Sequence, residues 1–419
     1  MHTRLTRLPG FRVLLFLSLA AFSVAQGPAS KEYNLKFDLD TILAIPGLWD
    51  LTPESLEEKA KAGNFKENPY FKWLTQNHDG ARFSRKPYNN VRVDLSMFGG
   101  QVSVEEVVLE FKDGKASGAS ISIFNRGDSG EISKGDFDTR YKTAGRLLGE
   151  TLKVSPKERK ATSQTAVKTT GWLWTSPNAL ALLEFNTDAM ETRGRPEFLR
   201  LRFSPPSGKD QLLGIAAIGR DSITTLKPQE LLQFVKKQGD GDVVVTGIPM
   251  VDQGAKGYCV VASCQRMFSY LHVQCDQHEL AEIAGSDSQR GTNSLAFTAA
   301  LSKIGSRFKV RFRPLLQKYP GSAERSVKTE KFAKIVQDHV NQGLPLLWSL
   351  ELGLRAEEPS VALQSGGGHM RLIIGYNTAK NQVLFTDSWG AGHELKRMDM
   401  ADALWVTSGV YVVEPQARL

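Results

Sequence analysis

Beyond its first 25 residues the sequence lacks any apolar run that approaches the length of a membrane-spanning helix. It also lacks a block of like charge. The formal net charge is +8, but the Lys and Arg residues are dispersed, and the longest basic pieces are as short as KERK at 157–160. Such a pattern describes solvated surface and argues against nucleic-acid binding. No internal repeat is evident, so the chain is not a repeat array. With three cysteines, at most one disulfide can form and one thiol is left over. Nothing in the pattern fixes an oligomeric state. At 419 residues there is room for two or three domains and an ample core.

The one sustained apolar run lies at the start. Arg4, Arg7 and Arg12 precede VLLFLSLAAFSVA, and Ser23 and Ala25 suit a cleavage site before Gln26. Residues 1–25 therefore read as a bacterial-type export signal, and the mature protein as secreted or periplasmic with no stable membrane insertion. Removing the three arginines lowers the net charge from +8 to +5. No cysteine lies near the cut, which argues against a lipid anchor.

The chemistry-bearing stretch is IPMVDQGAKGYCVVASCQRMFSY, residues 248–270. Gln253 stands six residues before Cys259, and Cys259 opens a run whose Val261, Ala262, Met267, Phe268 and Leu271 recur at helical period. Gly254 and Gly257 break the chain beforehand, placing the thiol where loop becomes helix. Unpaired amides and the positive end of the helix dipole favour thiolate there. A glutamine side chain nearby can donate N–H to an oxyanion forming beside the sulfur. Far downstream, SGGGHMRLIIGYN puts His369 at the start of a strand, and NQVLFTDSWG ends a second strand in Asp387.

These motifs resemble those of the papain-like cysteine peptidases: QG, four residues, then C, followed by GGH and DSWG, over roughly Val245 to Pro415. The resemblance implies the roles. Gln253 belongs to the oxyanion hole, Cys259 is the nucleophile, His369 the acid and base, and Asp387 orients the imidazole. It implies a peptide or protein substrate and calls for no cofactor and no metal. Three positions depart from papain. Asp387 replaces asparagine, which is closer to the bacteriocin-processing branch. Val260 replaces the tryptophan after the nucleophile, and the extra upstream cysteine is missing, with Lys256 in that region.

The remaining residues divide the chain. Residues 26–206 read as a separate α+β domain with an antiparallel sheet. LTPESLEEKAKAG is a helix capped by Thr52; VRVDLSMF, VSVEEVVLEF and ASISIF are strands with a turn at Asp113-Gly114. A helix over Phe137–Leu152 follows, then a hairpin around Pro177-Asn178 and the strand EFLRLRF. Trp172 and Trp174 read as core, His78 as a surface-loop residue, and the NRGD at 125–128 carries almost no weight as an adhesion motif. Residues 207–244 read as a linker with one helix, KPQELLQFVKK. Residues 245–419 then form the papain-like domain, a helical half followed by an antiparallel-sheet half. Its helices are HELAEIAG capped by Asp276, GTNSLAFTAALSKIG capped by Thr292 or Asn293, and TEKFAKIVQDHVNQG.

Cys264 and Cys275 are either a disulfide pair or two buried thiols. Zinc bound by Cys259, Cys264, Cys275 and His278 is disfavoured, because five helical residues turn Cys259 and Cys264 about 140° apart. His272 ends its helix, while His393 either lines the cleft or faces solvent. Two functional alternatives stay open beside an exported peptidase. One is a transglutaminase-like or amidase acyl transferase. The other is a papain-fold module that binds peptide or cell-wall material without turnover.

Overall fold

In a computed structural model, the described residues are 34–61, 68–85, 92–159, 169–186, 195–208, 225–254, 257–273, 275–286, 291–292, 297–299, 301–302, 305, 308–317, 327–360 and 367–416. The export signal, parts of GTNSLAFTAALSKIG and the candidate cap Asn293 lie outside them. The fold is α+β, with two large hydrophobic cores among the described residues, inside one continuous unit. One core draws on residues from Leu39 to Phe203, and the other on residues from Leu226 to Val413. The parts around these cores are called the N-terminal and C-terminal lobes below.

The N-terminal lobe holds a three-stranded sheet, ordered Asn34–Asp38, Arg92–Met97 and Val102–Val104, whose first pair is parallel. It also holds a sheet of eight described strands, ordered Phe71–Trp73, Gly80–Ser84, Glu106–Lys112, Lys115–Asn125, Phe198–Ser204, Leu180–Asn186, Thr169–Thr175 and Lys157–Arg159. In this larger sheet every neighbouring pair is antiparallel. The turn at Asp113-Gly114 has positive φ at both residues and joins two of these strands. Alternation along the strands sends Ala81, Phe83, Val107, Leu109, Leu183, Phe185, Leu199 and Leu201 into the core. The helix Lys134–Leu152, capped by Ser133, lays Phe137, Ala144 and Leu148 into that core. Trp174 is buried there, and Trp172 packs at its margin against Tyr141.

The other face of the larger sheet carries Arg82, Ser84, Glu106, Glu184, Arg200 and Arg202, yet all of them are buried. A polar sheet face ordinarily meets water. Here it meets the C-terminal lobe. Arg200 pairs with Glu184 in its own sheet and with Asp276 and Glu279 across the junction. Asn125 accepts a hydrogen bond from the Tyr258 hydroxyl at 3.1 Å. Gly127 lies so close to that hydroxyl that a Cβ there would fall 1.6 Å from it. Arg126 pairs with Glu197, and Asp128 is buried, so the NRGD stretch is a structural seam rather than an exposed loop. His78 sits in a surface turn, stacked on Trp73.

The C-terminal lobe has a sheet ordered Val235–Lys237, Asp242–Val245, Gly368–Asn377, Leu346–Glu351, Thr407–Pro415 and Val310–Gln317, with Gln382–Thr386 and Lys396–Asp399 added off Gly368–Asn377. Helices Cys259–Tyr270, Gln277–Ala284 and Thr329–Val340 appear where the sequence periodicity predicts them. Asp276 caps the second through a reciprocal hydrogen bond with Glu279, and Gly285 ends it in the left-handed conformation. The expected helix over KPQELLQFVKK is shorter than its sequence predicts. Pro228–Leu231 is one α-turn and Leu232–Phe234 a 3-10 turn, after which Val235–Lys237 pairs with Val243–Val245. The turn through Gly241 brings a second strand into reach, and sheet pairing outcompetes the helical continuation.

Candidate active site

Cys259 is the first residue of its helix, after Tyr258, which makes no side-chain cap. The first amides of the helix therefore have no intrahelical acceptor and point at the region around the half-buried thiol. Two polar residues on the same helix set where that thiol goes. Ser263 donates its hydroxyl to the Met370 carbonyl at 3.0 Å, next to His369. The buried Arg266 reaches the Asp387 carbonyl at 2.7 Å, the Thr386 hydroxyl at 2.7 Å and the Pro249 carbonyl at 2.9 Å. One guanidinium thus ties the helix to the end of the aspartate strand and to the loop before Gln253.

His369 lies second in the strand Gly368–Asn377, and Asp387 follows directly on the neighbouring strand Gln382–Thr386. The His369 ring is buried and its Nε2 sits 2.7 Å from Asp387 Oδ1. With Nε2 engaged by Asp387, Nδ1 is the ring nitrogen left for the sulfur of Cys259, which acts on the imidazole's pKa. Burial pushes the His369 pKa down, but the Asp387 charge and hydrogen bond, together with Cys259, outweigh it and raise the pKa to about 9. Burial pushes Asp387 the other way and is also overcome. His369, Arg371 and the Ser388 amide hold its carboxyl well below the usual carboxylate range.

Arg371 was not singled out from the sequence. It stands two residues after His369 on the same strand face, with no exposed surface. Its Nε donates to Asp387 Oδ2 at 2.6 Å, and its two terminal nitrogens donate to Glu357 at 2.5 and 3.1 Å. Glu357 in turn pairs with the buried Lys396. Charges therefore alternate along Asp387, Arg371, Glu357 and Lys396. A cation in the run HMRLIIGY is the signal that pointed to a buried partner. The Trp389 ring stacks on His369 with centroids 4.7 Å apart, and the Arg371 guanidinium carbon lies 5.3 Å from its centroid. His393 meets the edge of that tryptophan, and burial with nearby Lys396 lowers its pKa.

Gln253 is buried and fixed at both ends. Its backbone amide donates to the Ser388 carbonyl at 2.9 Å, and its side-chain oxygen accepts from the Ser388 hydroxyl at 2.8 Å. With the oxygen engaged by a hydroxyl, the amide nitrogen is the end turned to donor work. The residue before it, Asp252, pairs with Lys72 and lies 3.7 Å from Arg82, both from the N-terminal lobe.

The cysteines separate cleanly. All three are free; Cys264 and Cys275 are buried, and burial raises both pKa values well above that of an ordinary thiol. Among the described residues, no group of three or more His, Cys, Asp and Glu is placed to hold a metal ion. His272 is exposed at the end of the helix, and His278 faces Asp128 at 3.9 Å. Among the described residues no helix is long and apolar enough to cross a membrane.

Residues 245–410 match the model of the Peptidase_C39 like family. No curated protein matches the chain.

Proposed function

We propose that this chain, whose residues 245–410 match the Peptidase_C39 like family, is an exported cysteine peptidase that hydrolyses peptide bonds through a Cys259 thioester. The observation that carries this reading is the placement of His369: Asp387 holds its Nε2 at 2.7 Å, and Cys259 is near enough to the same ring to help raise its pKa, with Nδ1 left for the sulfur. The reacting form pairs the Cys259 thiolate with the His369 imidazolium. The sulfur attacks the carbonyl carbon, and the oxyanion is stabilised by the Cys259 amide and the Gln253 side-chain amide. His369 gives its proton to the leaving amine, whose bond to the carbonyl breaks. It then takes a proton from water, which attacks the thioester and releases the acid and the free thiol. Asp387 holds the ring orientation and stays ionised throughout.

Export rests on residues 1–25, with Arg4, Arg7 and Arg12 ahead of the apolar run, and would place the mature enzyme outside the cytoplasm or in a periplasm. The substrate class is peptide or protein.

The test uses the mature protein and a dye-labelled, unfolded casein. Iodoacetamide should label Cys259 rapidly near neutral pH, leave Cys264 and Cys275 unlabelled in the folded protein, and abolish turnover. Cys259→Ala should stop cleavage while circular dichroism stays unchanged. Equal, slow labelling of all three thiols would overturn the assignment. Products carrying an added amine in place of water would identify an acyl transferase instead.

A further inference from the structure

Lys72 stands in the first strand of the eight-stranded N-terminal sheet, 181 residues before Gln253 in sequence. In space its amino group, whose pKa burial and the nearby Arg82 lower to about 7, sits between the two segments that hold Gln253. It pairs with Asp252, the residue directly before Gln253, and donates to the Trp389 carbonyl at 3.0 Å, the residue directly after Ser388. Both contacts continue into Gln253. Asp252 Oδ1 accepts the Gly254 amide at 2.8 Å, which shapes the backbone on the far side of the glutamine. Ser388 takes the Gln253 amide on its carbonyl and gives its hydroxyl to the Gln253 side-chain oxygen. Arg82, the other cation near Asp252, is 3.7 Å away and engages Glu106 through two nitrogens, at 2.9 and 2.5 Å. Beside the direct Gln253–Ser388 hydrogen bonds, Lys72 adds a contact from the N-terminal lobe that touches both segments.

We propose that Lys72 is a positioning residue for the oxyanion hole, reaching across from the N-terminal lobe to fix the Gln253 side chain against Ser388. The proposal rests on the peptidase reading above. It makes the N-terminal sheet a working part of the site, one that a removable propeptide could not supply. An oxyanion donor acts at full strength only when its N–H is aimed before the charge develops. Loss of the ammonium frees the 252–254 turn and the 388–390 loop to shift apart, and the donor with them. The helix of the thiol is tied separately by Ser263 and Arg266, and the imidazole by Asp387, all within the C-terminal lobe.

Four variants of the mature protein test this: Lys72→Met, Gln253→Ala, the pair combined, and Lys72→Met with Asp252→Asn, which removes both charges in case a lone buried carboxylate prevents folding. Two rates are measured, alkylation of Cys259 by iodoacetamide and cleavage of dye-labelled casein. Displacement of an oxyanion donor should lower casein cleavage by about tenfold to a hundredfold in Lys72→Met. Alkylation, which forms no oxyanion, should stay close to the wild-type rate. The charge-free pair should show the same split. In the Gln253→Ala background Lys72→Met should cause almost no further loss, because the group it positions is already gone. Multiplying losses in the combined variant, or an alkylation rate that falls in step with cleavage, would overturn the proposal. Failure of wild-type Cys259 to alkylate selectively would instead remove the peptidase reading beneath it.

Discussion

His369 is anchored by charges from its own lobe, whereas Gln253 leans on an ammonium from the other. The imidazole meets Asp387, then Arg371, Glu357 and Lys396 in turn, all within residues 357–396. The glutamine meets Ser388 from its own lobe, but the turn it sits on is closed by Lys72. The difference follows the work each group does in the proposed mechanism. The imidazole changes charge during turnover, so it needs a fixed counter-charge in a dry site, and that counter-charge itself must be held ionised. The glutamine never changes charge and only has to point the right way. Alternating charges serve the first need; a clamp on two loops serves the second.

The largest effect should come from the first network. Asp387 Oδ1 accepts from His369 Nε2 and the Ser388 amide, and Oδ2 accepts from Arg371 Nε. Both oxygens therefore face donors. Asp387→Asn must turn an NH2 toward one of them, which sets donor against donor or inverts the histidine tautomer. The papain-type asparagine does not fit beside Arg371, and this accounts for the aspartate. The expected loss of kcat/KM is about a thousandfold or more, in line with the loss of a correctly oriented imidazole. The pH profile should also move. With His369 raised to about 9, the imidazolium form persists to alkaline pH and is lost as pH rises through that value. In Asp387→Asn the counter-charge is gone while burial still disfavours the cation, so the alkaline limb should shift toward lower pH. A limb that stays in place would show that Asp387 does not set the charge of His369. Arg371→Met added to Asp387→Asn should recover part of the loss by removing the opposing donor.

How legible these two networks were from sequence follows from their spacing. The nucleophile helix, the histidine strand and the aspartate strand could be read from local period and glycine breaks, and their residues meet as the motif order implied. Arg371 and Arg266 had a weaker signal: each is a cation inside an otherwise apolar run, HMRLIIGY and VVASCQRMF. Nothing around Lys72, in PYFKWLT, distinguishes it from a solvated lysine. Likewise EFLRLRF alternates as a half-exposed strand should, and its arginines read as the wet face. The C-terminal lobe covers that face, and coverage by a distant part of the chain leaves no trace in strand period. The 227–237 segment departs from its helical expectation for a related reason, since its helical propensity gives way to a pairing partner beyond a tight turn.

A middle-sized effect separates clamping from mere adhesion between lobes. Arg200 is as buried as Arg82 and pairs across the junction with Asp276 and Glu279, which cap the Gln277–Ala284 helix rather than hold Gln253. Arg200→Met strips the counter-charge from a buried cluster that includes Glu184, and should cost about 3–5 kcal/mol of stability in chemical denaturation. Casein cleavage by the folded enzyme should change little, and its pH limb should not move. A cleavage loss that matches that of Lys72→Met would mean that general rigidity of the junction, rather than the particular ammonium, governs Gln253.

The smallest effect comes from the contact nearest the nucleophile. Tyr258 directly precedes Cys259, is fully buried, and sends its hydroxyl across the junction to Asn125. Burial, reinforced by Asp128, raises its pKa, so it stays a neutral phenol and only a hydrogen bond is at stake. Tyr258→Phe keeps the ring and its packing and removes the hydroxyl alone. One net hydrogen bond between neutral groups contributes about 1 kcal/mol, and leaving the Asn125 oxygen without this donor adds about as much again. The loss should appear in the unfolding free energy. Cys259 should hold its place, because Ser263 and Arg266 fix the helix from the C-terminal lobe whether or not the hydroxyl is present. Alkylation and cleavage rates should therefore both stay close to wild type. The comparison with Lys72→Met is direct, since each variant removes cross-lobe contact at a residue flanking the site, Tyr258 beside Cys259 and Asp252 beside Gln253. If Tyr258→Phe slows alkylation, the nucleophile too depends on the N-terminal lobe, and the division between an internally held ring and an externally held amide fails.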